Sequence, residues 1–327
     1  MRFWRKPKSI TSLLGGSLSE EMLDESLLLD HVKTEDYLTV ALEIRPCSFL
    51  TIPAELRNGD KLGKEIDELC AGDLQAVLSA AADEKGAFIH RLKERIGESF
   101  RRVVFVSATY KAHIEWARRL YLGMRDVEVR PSIHELYLFK DARVKKELRS
   151  LMRIRKAARE RVQLSIDAPK TKTCFAFPEE LSPEYLSSVG KLLGYPSCCV
   201  ERYVRDRLSG EASAEMRAGG QIDQLRREGN KPDTYAYFAR NFFPCDPKCR
   251  NASEIGRRTF DLLSGLNPKI GNRYFTCMMR NVEMVENYPE LTRQHVEKLT
   301  KKAQKVTRVE TGNQNNFKPY TSITDVR

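Results

Sequence analysis

Two short cysteine motifs, Gly194-Tyr195-Pro196-Ser197-Cys198-Cys199 and Phe243-Pro244-Cys245-Asp246-Pro247-Lys248-Cys249, constrain the second half of this 327-residue chain more than any other feature. Each runs from a proline turn into a helical pattern. Each thiol pair is therefore expected at a helix start, where unpaired backbone N–H groups and the positive end of the helix dipole favour anionic sulfur. If the sulfurs share one centre, two helix starts far apart in sequence must be brought face to face.

The first helix is expected to run from Ser197 as N-cap through Val200, Tyr203, Val204 and Leu208 to Ser209-Gly210, with Cys198 and Cys199 in its first turn. The second is expected to start with Asp246 as N-cap and Pro247 as its first residue, and to continue through Ala252, Ile255, Thr259, Leu262 and Leu263. Cys198, Cys199, Cys245 and Cys249 are the candidate metal ligands. Free cysteines are also common as small buried apolar residues, but two motifs with prolines in matching places are harder to read as core filling. The spacing Cys245-x3-Cys249 suits zinc, whereas the vicinal pair Cys198-Cys199 does not. Adjacent ligands fit a polynuclear cluster better, so a [4Fe–4S] cluster is the first expectation and zinc the alternative. A thiol redox pair is the remaining chemistry, although neither motif is the C-x-x-C of thioredoxin-like sites.

The paired motifs resemble those of a family of uncharacterised, chiefly archaeal prokaryotic proteins that carry GYPxCC followed by PCxxxC. Tyr195, Pro196, Cys198, Cys199, Pro244, Cys245 and Cys249 fit that pattern, over roughly residues 165 to 285. The resemblance implies a prokaryotic cytosol and supplies no substrate or reaction.

The remaining cysteines, Cys47, Cys70, Cys174 and Cys277, are scattered and expected in the core. Eight cysteines without a signal peptide indicate a reducing compartment, where thiols bind metal or stay free. The basic start Met1-Arg2-Phe3-Trp4-Arg5-Lys6 leads to no apolar run long enough for a leader or membrane span, so the protein is expected to be cytoplasmic. His31, His90, His113, His134 and His295 follow no metal-binding spacing and are expected as surface or core histidines.

The fold class expected is α/β (mixed α+β): a small α/β amino-terminal domain, a long basic helix, and a mainly helical cysteine-motif domain. Residues 1–35 are expected to be a poorly ordered basic arm, 36–140 the α/β domain, 141–163 the connector helix, 164–308 the cysteine-motif domain, and 309–327 a disordered tail. Strands are expected at Tyr37 to Ile44, Arg102 to Ser107, Val127 to Arg130, His134 to Phe139 and Lys172 to Phe177. Helices are expected from about Asp60 to Ala82, Ala87 to Ile96, Lys111 to Leu122, Pro183 to Leu193 and Pro289 to Val306. That alternation predicts at least one right-handed βαβ crossover. Neither a GxGxxG nor a Walker loop accompanies it, so nucleotide binding has no motif support.

A formal charge of +11 favours an anionic partner such as RNA or another polyanion. The excess is concentrated between Lys140 and Arg161, where ten basic residues face three acidic ones. The apolar stripe Val144, Leu148, Leu151, Ala158 and Val162 is interrupted only by Arg155. Lys145, Arg149, Arg153 and Lys156 share one face and are the candidate nucleic-acid contacts; an ordinary solvated face is the alternative. Before the second motif, Tyr235, Phe238 and Phe242 fall on one helical face and are expected to form a core wall in preference to a base-stacking platform. No reaction and no oligomeric state follow from these patterns.

Overall fold

A computed structural model describes residues 17–164, 178–209 and 213–310. Its elements in chain order are α1 (Ser17–Asp24), a π-helix (Val32–Tyr37), α2 (Leu38–Ala41), β1 (Cys47–Ile52), α3 (Gly59–Ser79), α4 (Lys85–Val103), α5 (Ala108–Arg119), β2 (Gly123–Arg130), β3 (Ile133–Phe139) and α6 (Ala142–Leu164). There follow a 3-10 turn (Pro178–Leu181), α7 (Pro183–Leu192), α8 (Ser197–Ser209), α9 (Ala214–Arg227), a second 3-10 turn (Thr234–Tyr237), α10 (Arg250–Leu266) and α11 (Pro268–Glu310). The chain is mixed α and β, mostly helical, and among the described residues no helix is long and apolar enough to cross a membrane.

Two compact units divide the chain. The first comprises Met1–Arg149, Leu192–Gly194 and Arg257–Cys277; the second comprises Ser150–Lys191, Tyr195–Gly256 and Met278–Arg327. Short pieces of the later sequence thus join the first unit.

In the first unit, three antiparallel strands lie in the order β1-β3-β2, with Leu50 opposite Leu136 and Met124 opposite Leu138. The expected βαβ crossover is therefore absent from the described residues. The central strand β3 is buried from His134 to Phe139, and Leu50, Ile52, Leu136 and Leu138 form part of the core. The segment expected as a strand at Tyr37 to Ile44 is the end of the π-helix followed by α2. Residues 32–41 are all buried, and a continuous buried run lacks the alternation that distinguishes strand from helix. Likewise Arg102 to Ser107 is the last turn of α4 and a loop leading to the Ser107 cap of α5, with Val106 exposed. From Ser17 onward the expected amino-terminal arm is ordered, with Met22, Leu28 and Val32 buried; residues 1–16 lie outside the described residues.

Polar groups inside this unit find partners. The Tyr37 hydroxyl donates to the His113 carbonyl at 2.9 Å and lies 3.0 Å from His113 Nδ1. Burial lowers the His113 pKa to about 4, so this histidine is a neutral core residue. His134, beside Asp126 and stacked on Phe100, is likewise packed into the unit. Gly194 closes α7 with φ +74°, and a Cβ there would lie 2.7 Å from Pro46 Cδ. The first residue of the GYP motif is thus glycine for two separate steric reasons.

In the second unit, Leu186 of α7, Ile222 of α9 and Tyr237 of the second 3-10 turn are buried. The helices expected at Pro183 and Ser197 form within a residue of their expected ends. The stretch before the second cysteine motif is not one continuous helix: a single 3-10 turn is followed by loop, with Asn241 at φ +60°. The wall nevertheless forms. Its buried members are Phe238 and Phe242, tilted against each other with centroids 4.5 Å apart, and Tyr195 meets them at 6.1 and 4.8 Å, whereas Tyr235 is only half-buried. The strand expected at Lys172 to Phe177 and the tail 311–327 lie outside the described residues.

Candidate metal centre

The first cysteine pair is positioned as its local sequence predicts. The Pro196 carbonyl accepts from the backbone N–H groups of Cys199 and Val200, both at 3.0 Å, which starts α8 and holds Cys198 and Cys199 in its first turn. The second motif behaves differently. Asp246 caps a single tight turn, accepting from Lys248 N at 2.8 Å through its side chain and from Cys249 N at 3.0 Å through its carbonyl. The helix starts only at Arg250, so Cys249 immediately precedes α10 and its carbonyl accepts from Ser253 N at 2.9 Å. The Asp-Pro pair thus makes a turn, not a helix start, and that turn folds Cys245 back towards Cys249. Asp233 N anchors the turn from outside through a 3.0 Å bond to the Pro247 carbonyl. At Gly256 a Cβ would lie 2.1 Å from the Tyr235 carbonyl oxygen, so glycine lets α10 run close to the Thr234–Tyr237 turn.

The four sulfurs converge. Cys198 Sγ lies 3.9 Å from Cys199 Sγ and 3.8 Å from Cys249 Sγ, and Cys199 Sγ lies 3.7 Å from Cys249 Sγ. All four sulfurs, including that of Cys245, lie within 4.8 Å of one another, an arrangement that could hold a metal ion. Cys199 and Cys249 are buried, Cys198 and Cys245 half-buried. By contrast Cys47, Cys70 and Cys277 are buried apart from this group, in the core roles expected for them; Cys174 lies outside the described residues.

Donors surround the sulfurs. Cys245 N points at Cys199 Sγ at 3.4 Å, and the Asn251 side-chain amide at Cys198 Sγ at the same distance. Burial alone would raise the Cys198 pKa, but the Asn251 amide and the neighbouring thiols outweigh it and hold it below the usual value. At Cys199, burial dominates and pushes the pKa far up, with repulsion from the other three sulfurs adding to it. At Cys245, burial and the adjacent Cys249 push it up to about 12. Four thiolates so close together repel one another unless a cation sits among them, and a bound cation reverses that balance.

Behind the centre, Arg217 of α9 joins the two motifs. Its Nε donates to Asp206 Oδ2 on α8 at 2.7 Å, and its Nη1 to Gln221 Oε1 at 2.6 Å and to the Pro244 carbonyl at 2.8 Å. Gln221 Nε2 reaches the Cys245 carbonyl at 3.4 Å. Sequence reasoning misses these supports. Asn251 is within its reach, two residues past a ligand at a helix start, whereas Arg217 and Gln221 sit in a segment that reads as a polar insertion.

On α6, the candidate nucleic-acid residues Lys145, Arg149, Arg153 and Lys156 are all exposed. Lys156 approaches Glu160 at 3.8 Å, and Arg149 Nε lies 3.4 Å from the Lys145 carbonyl. The interruption of the apolar stripe has a partner that the sequence does not reveal. Arg155 is buried against Glu179, Nε to Oε1 at 2.6 Å, and Arg159 donates to both oxygens of the same carboxylate at 2.8 and 2.7 Å. Two of the ten basic groups therefore share one carboxylate, which offsets one of their two positive charges.

No curated protein and no solved structure matches the chain. The match to a family model begins and ends earlier than the resemblance of the motifs suggests. Residues 153–262 match the model described as "Protein of unknown function (DUF483)", so the chain carries a domain of an uncharacterised family, and all four clustered cysteines lie within it.

Proposed function

We propose that this protein is a metal protein in which Cys198, Cys199, Cys245 and Cys249 hold one tetrahedral ion, zinc in first place, that ties the start of α8 to the start of α10. The observation that carries this reading is the sulfur spacing. A regular tetrahedron of thiolates with bonds of about 2.3 Å has edges of about 3.8 Å; the separations of 3.7, 3.8 and 3.9 Å among Cys198, Cys199 and Cys249 fit that figure, and Cys245 Sγ lies within 4.8 Å of all three. In a four-iron cluster each cysteine takes its own iron corner, which holds the sulfurs roughly 6 Å apart. The spacing therefore favours a single ion over the cluster suggested by the vicinal pair. Four protein ligands fill a tetrahedral sphere, which suits a structural role better than a catalytic one. Elemental analysis of protein purified without oxygen tests this directly. One zinc per chain in a colourless protein supports it; iron with acid-labile sulfide in a brown protein overturns it in favour of the cluster.

The loop bearing Cys245 depends on Arg217, so Arg217→Met is expected to weaken metal affinity about 10- to 100-fold, the usual scale for outer partners of metal ligands. Competition with a chromophoric chelator measures this. Unchanged affinity in a folded variant would show that the Asp206 and Pro244 contacts serve packing alone.

A second reading rests on the exposed basic face of α6: the protein binds a polyanion such as RNA through Lys145, Arg149, Arg153 and Lys156. Binding to a phosphate backbone releases condensed counterions, so affinity must fall steeply with added salt. Reversing all four to Glu is expected to flatten the salt dependence by roughly one unit of slope for each phosphate-binding side chain removed. Circular dichroism confirms that the helix persists in the variant. RNA binding with an unaltered slope would make α6 an ordinary solvated face.

A further inference from the structure

The four clustered sulfurs are not equivalent. Cys199 and Cys249 are only 1% and 8% exposed, whereas Cys198 and Cys245 are half-buried, so a small solute reaches the latter two first. These two differ in the hydrogen bonds that their sulfurs accept. The Asn251 side-chain amide lies 3.4 Å from Cys198 Sγ, and the backbone N–H of Cys245 is spent on Cys199 Sγ at the same distance. Among the described residues, no N–H group donates to the sulfur of Cys245 or Cys249. An N–H donor draws charge from a metal-bound thiolate and weakens it as a nucleophile. Cys245 therefore combines access to solvent with an undamped sulfur, and no other member of the group does.

The same motif supplies a second thiol behind it. The Asp246 turn folds Cys245 back towards Cys249, with Lys248 N bonded to the Asp246 side chain at 2.8 Å and Cys249 N to the Asp246 carbonyl at 3.0 Å. The two sulfurs lie within 4.8 Å of each other. An oxygen added to Cys245 from the solvent side leaves the buried side of that sulfur open, opposite the oxygen that must depart when a second thiolate attacks. Cys249 is buried, close in sequence and without an N–H donor on its sulfur. Cys199 is also buried, but its sulfur already accepts the Cys245 N–H.

We infer that Cys245 is a site of oxidation by hydroperoxides, and that its oxidation closes a Cys245–Cys249 disulfide that empties the metal centre. The inference rests on the zinc reading above, because a bound metal keeps all four sulfurs as thiolates. The Cys245 thiolate attacks one peroxide oxygen: an S–O bond forms, the O–O bond breaks and hydroxide leaves, so the sulfur is oxidised to a sulfenic acid and the peroxide is reduced. The Cys249 thiolate then attacks the Cys245 sulfur: an S–S bond forms, the S–O bond breaks and a second hydroxide leaves. Only Cys198 and Cys199 remain, half of a tetrahedral ligand set. The tie between α8 and the second motif is thereby cut, and a reductant that opens the disulfide restores all four ligands.

Full-length protein purified without oxygen is first assayed for metal and then treated with hydrogen peroxide. A chromophoric chelator reads released zinc, and dimedone in a parallel sample traps sulfenic acid for peptide mapping. The expected result is one zinc released for each disulfide formed, a non-reducing digest that joins Cys245 to Cys249, and dimedone on Cys245 but not on Cys198. Dithiothreitol with added zinc should then restore the bound metal. Zinc-loaded protein that carries dimedone on Cys198, that joins the two motifs by a disulfide, or that keeps its zinc through about a tenfold excess of peroxide overturns the inference and leaves the zinc reading standing. Protein that carries no zinc before treatment overturns the zinc reading, and this inference with it.

Discussion

Cys245→Ser will release the metal and unfold the second unit before the first. Structural zinc contributes about 10–16 kcal/mol to folding in small zinc modules, because the ion binds the folded arrangement and not the open chain. Whole domains are stable by only about 5–15 kcal/mol, so losing one of four ligands is expected to cost more than about 3 kcal/mol. An ion held as proposed would link segments 46 residues apart, counted from Cys199 to Cys245, and without it Cys199 and Cys249 would be buried thiols with no common partner. Metal content and urea unfolding read out the two effects together. Cys277→Ser is the control: Cys277 is buried outside the cluster, so that variant should keep its full metal complement. Retention of metal by Cys245→Ser would remove Cys245 from the ligand set.

Glu179→Ala should destabilise the second unit by about 3–5 kcal/mol, because it leaves a buried guanidinium without its counter-charge. The Glu179 side chain is 1% exposed and that of Arg155 is 6% exposed, and Arg155 also lies over the Tyr185 ring at 5.4 Å. The pair is not itself a large source of stability, since desolvation offsets most of the attraction. Replacing Glu179→Leu together with Arg155→Met leaves only the part-exposed Arg159 without its carboxylate, and is therefore expected to cost less than the single change. Burial raises the Glu179 pKa, but the hydrogen bonds from Arg159 and Arg155 outweigh it and hold the carboxyl below its usual range. A lowered folded pKa means that this contribution is complete above the unfolded carboxyl value and is lost as pH falls through the folded one. The wild type should therefore lose stability on acidification by an increment that Glu179→Ala does not show, in urea midpoints measured across the acidic range.

These two predictions differ in how far the sequence alone supports them. The cysteines stand out because proline turns and helix starts are local chemistry: Pro196 opens α8 and Asp246 caps its turn through residues two or three places along the chain. The helices from α3 to α8 are legible for the same reason, since apolar spacing and end residues lie within one stretch. Where every residue of a stretch is buried, as from Val32 to Ala41, periodicity disappears. Packing then makes a helix of a segment whose composition suits a strand.

What only the tertiary structure decided is which distant groups meet. Nothing near Arg155 in sequence announces Glu179, and nothing near Cys245 announces Arg217 and Gln221. The vicinal cysteines by themselves suit a cluster; the separation of 3.7 Å between Cys199 and Cys249 is a fact of the fold. The same holds for the sheet, whose antiparallel order β1-β3-β2 includes β1, a strand that the expected α/β alternation does not contain. The physical reason is common to all of these. Caps, turns and amphipathic faces are set by neighbours a few bonds away, whereas the partner of a buried charge or thiol is set by the one packing arrangement that leaves neither unsatisfied.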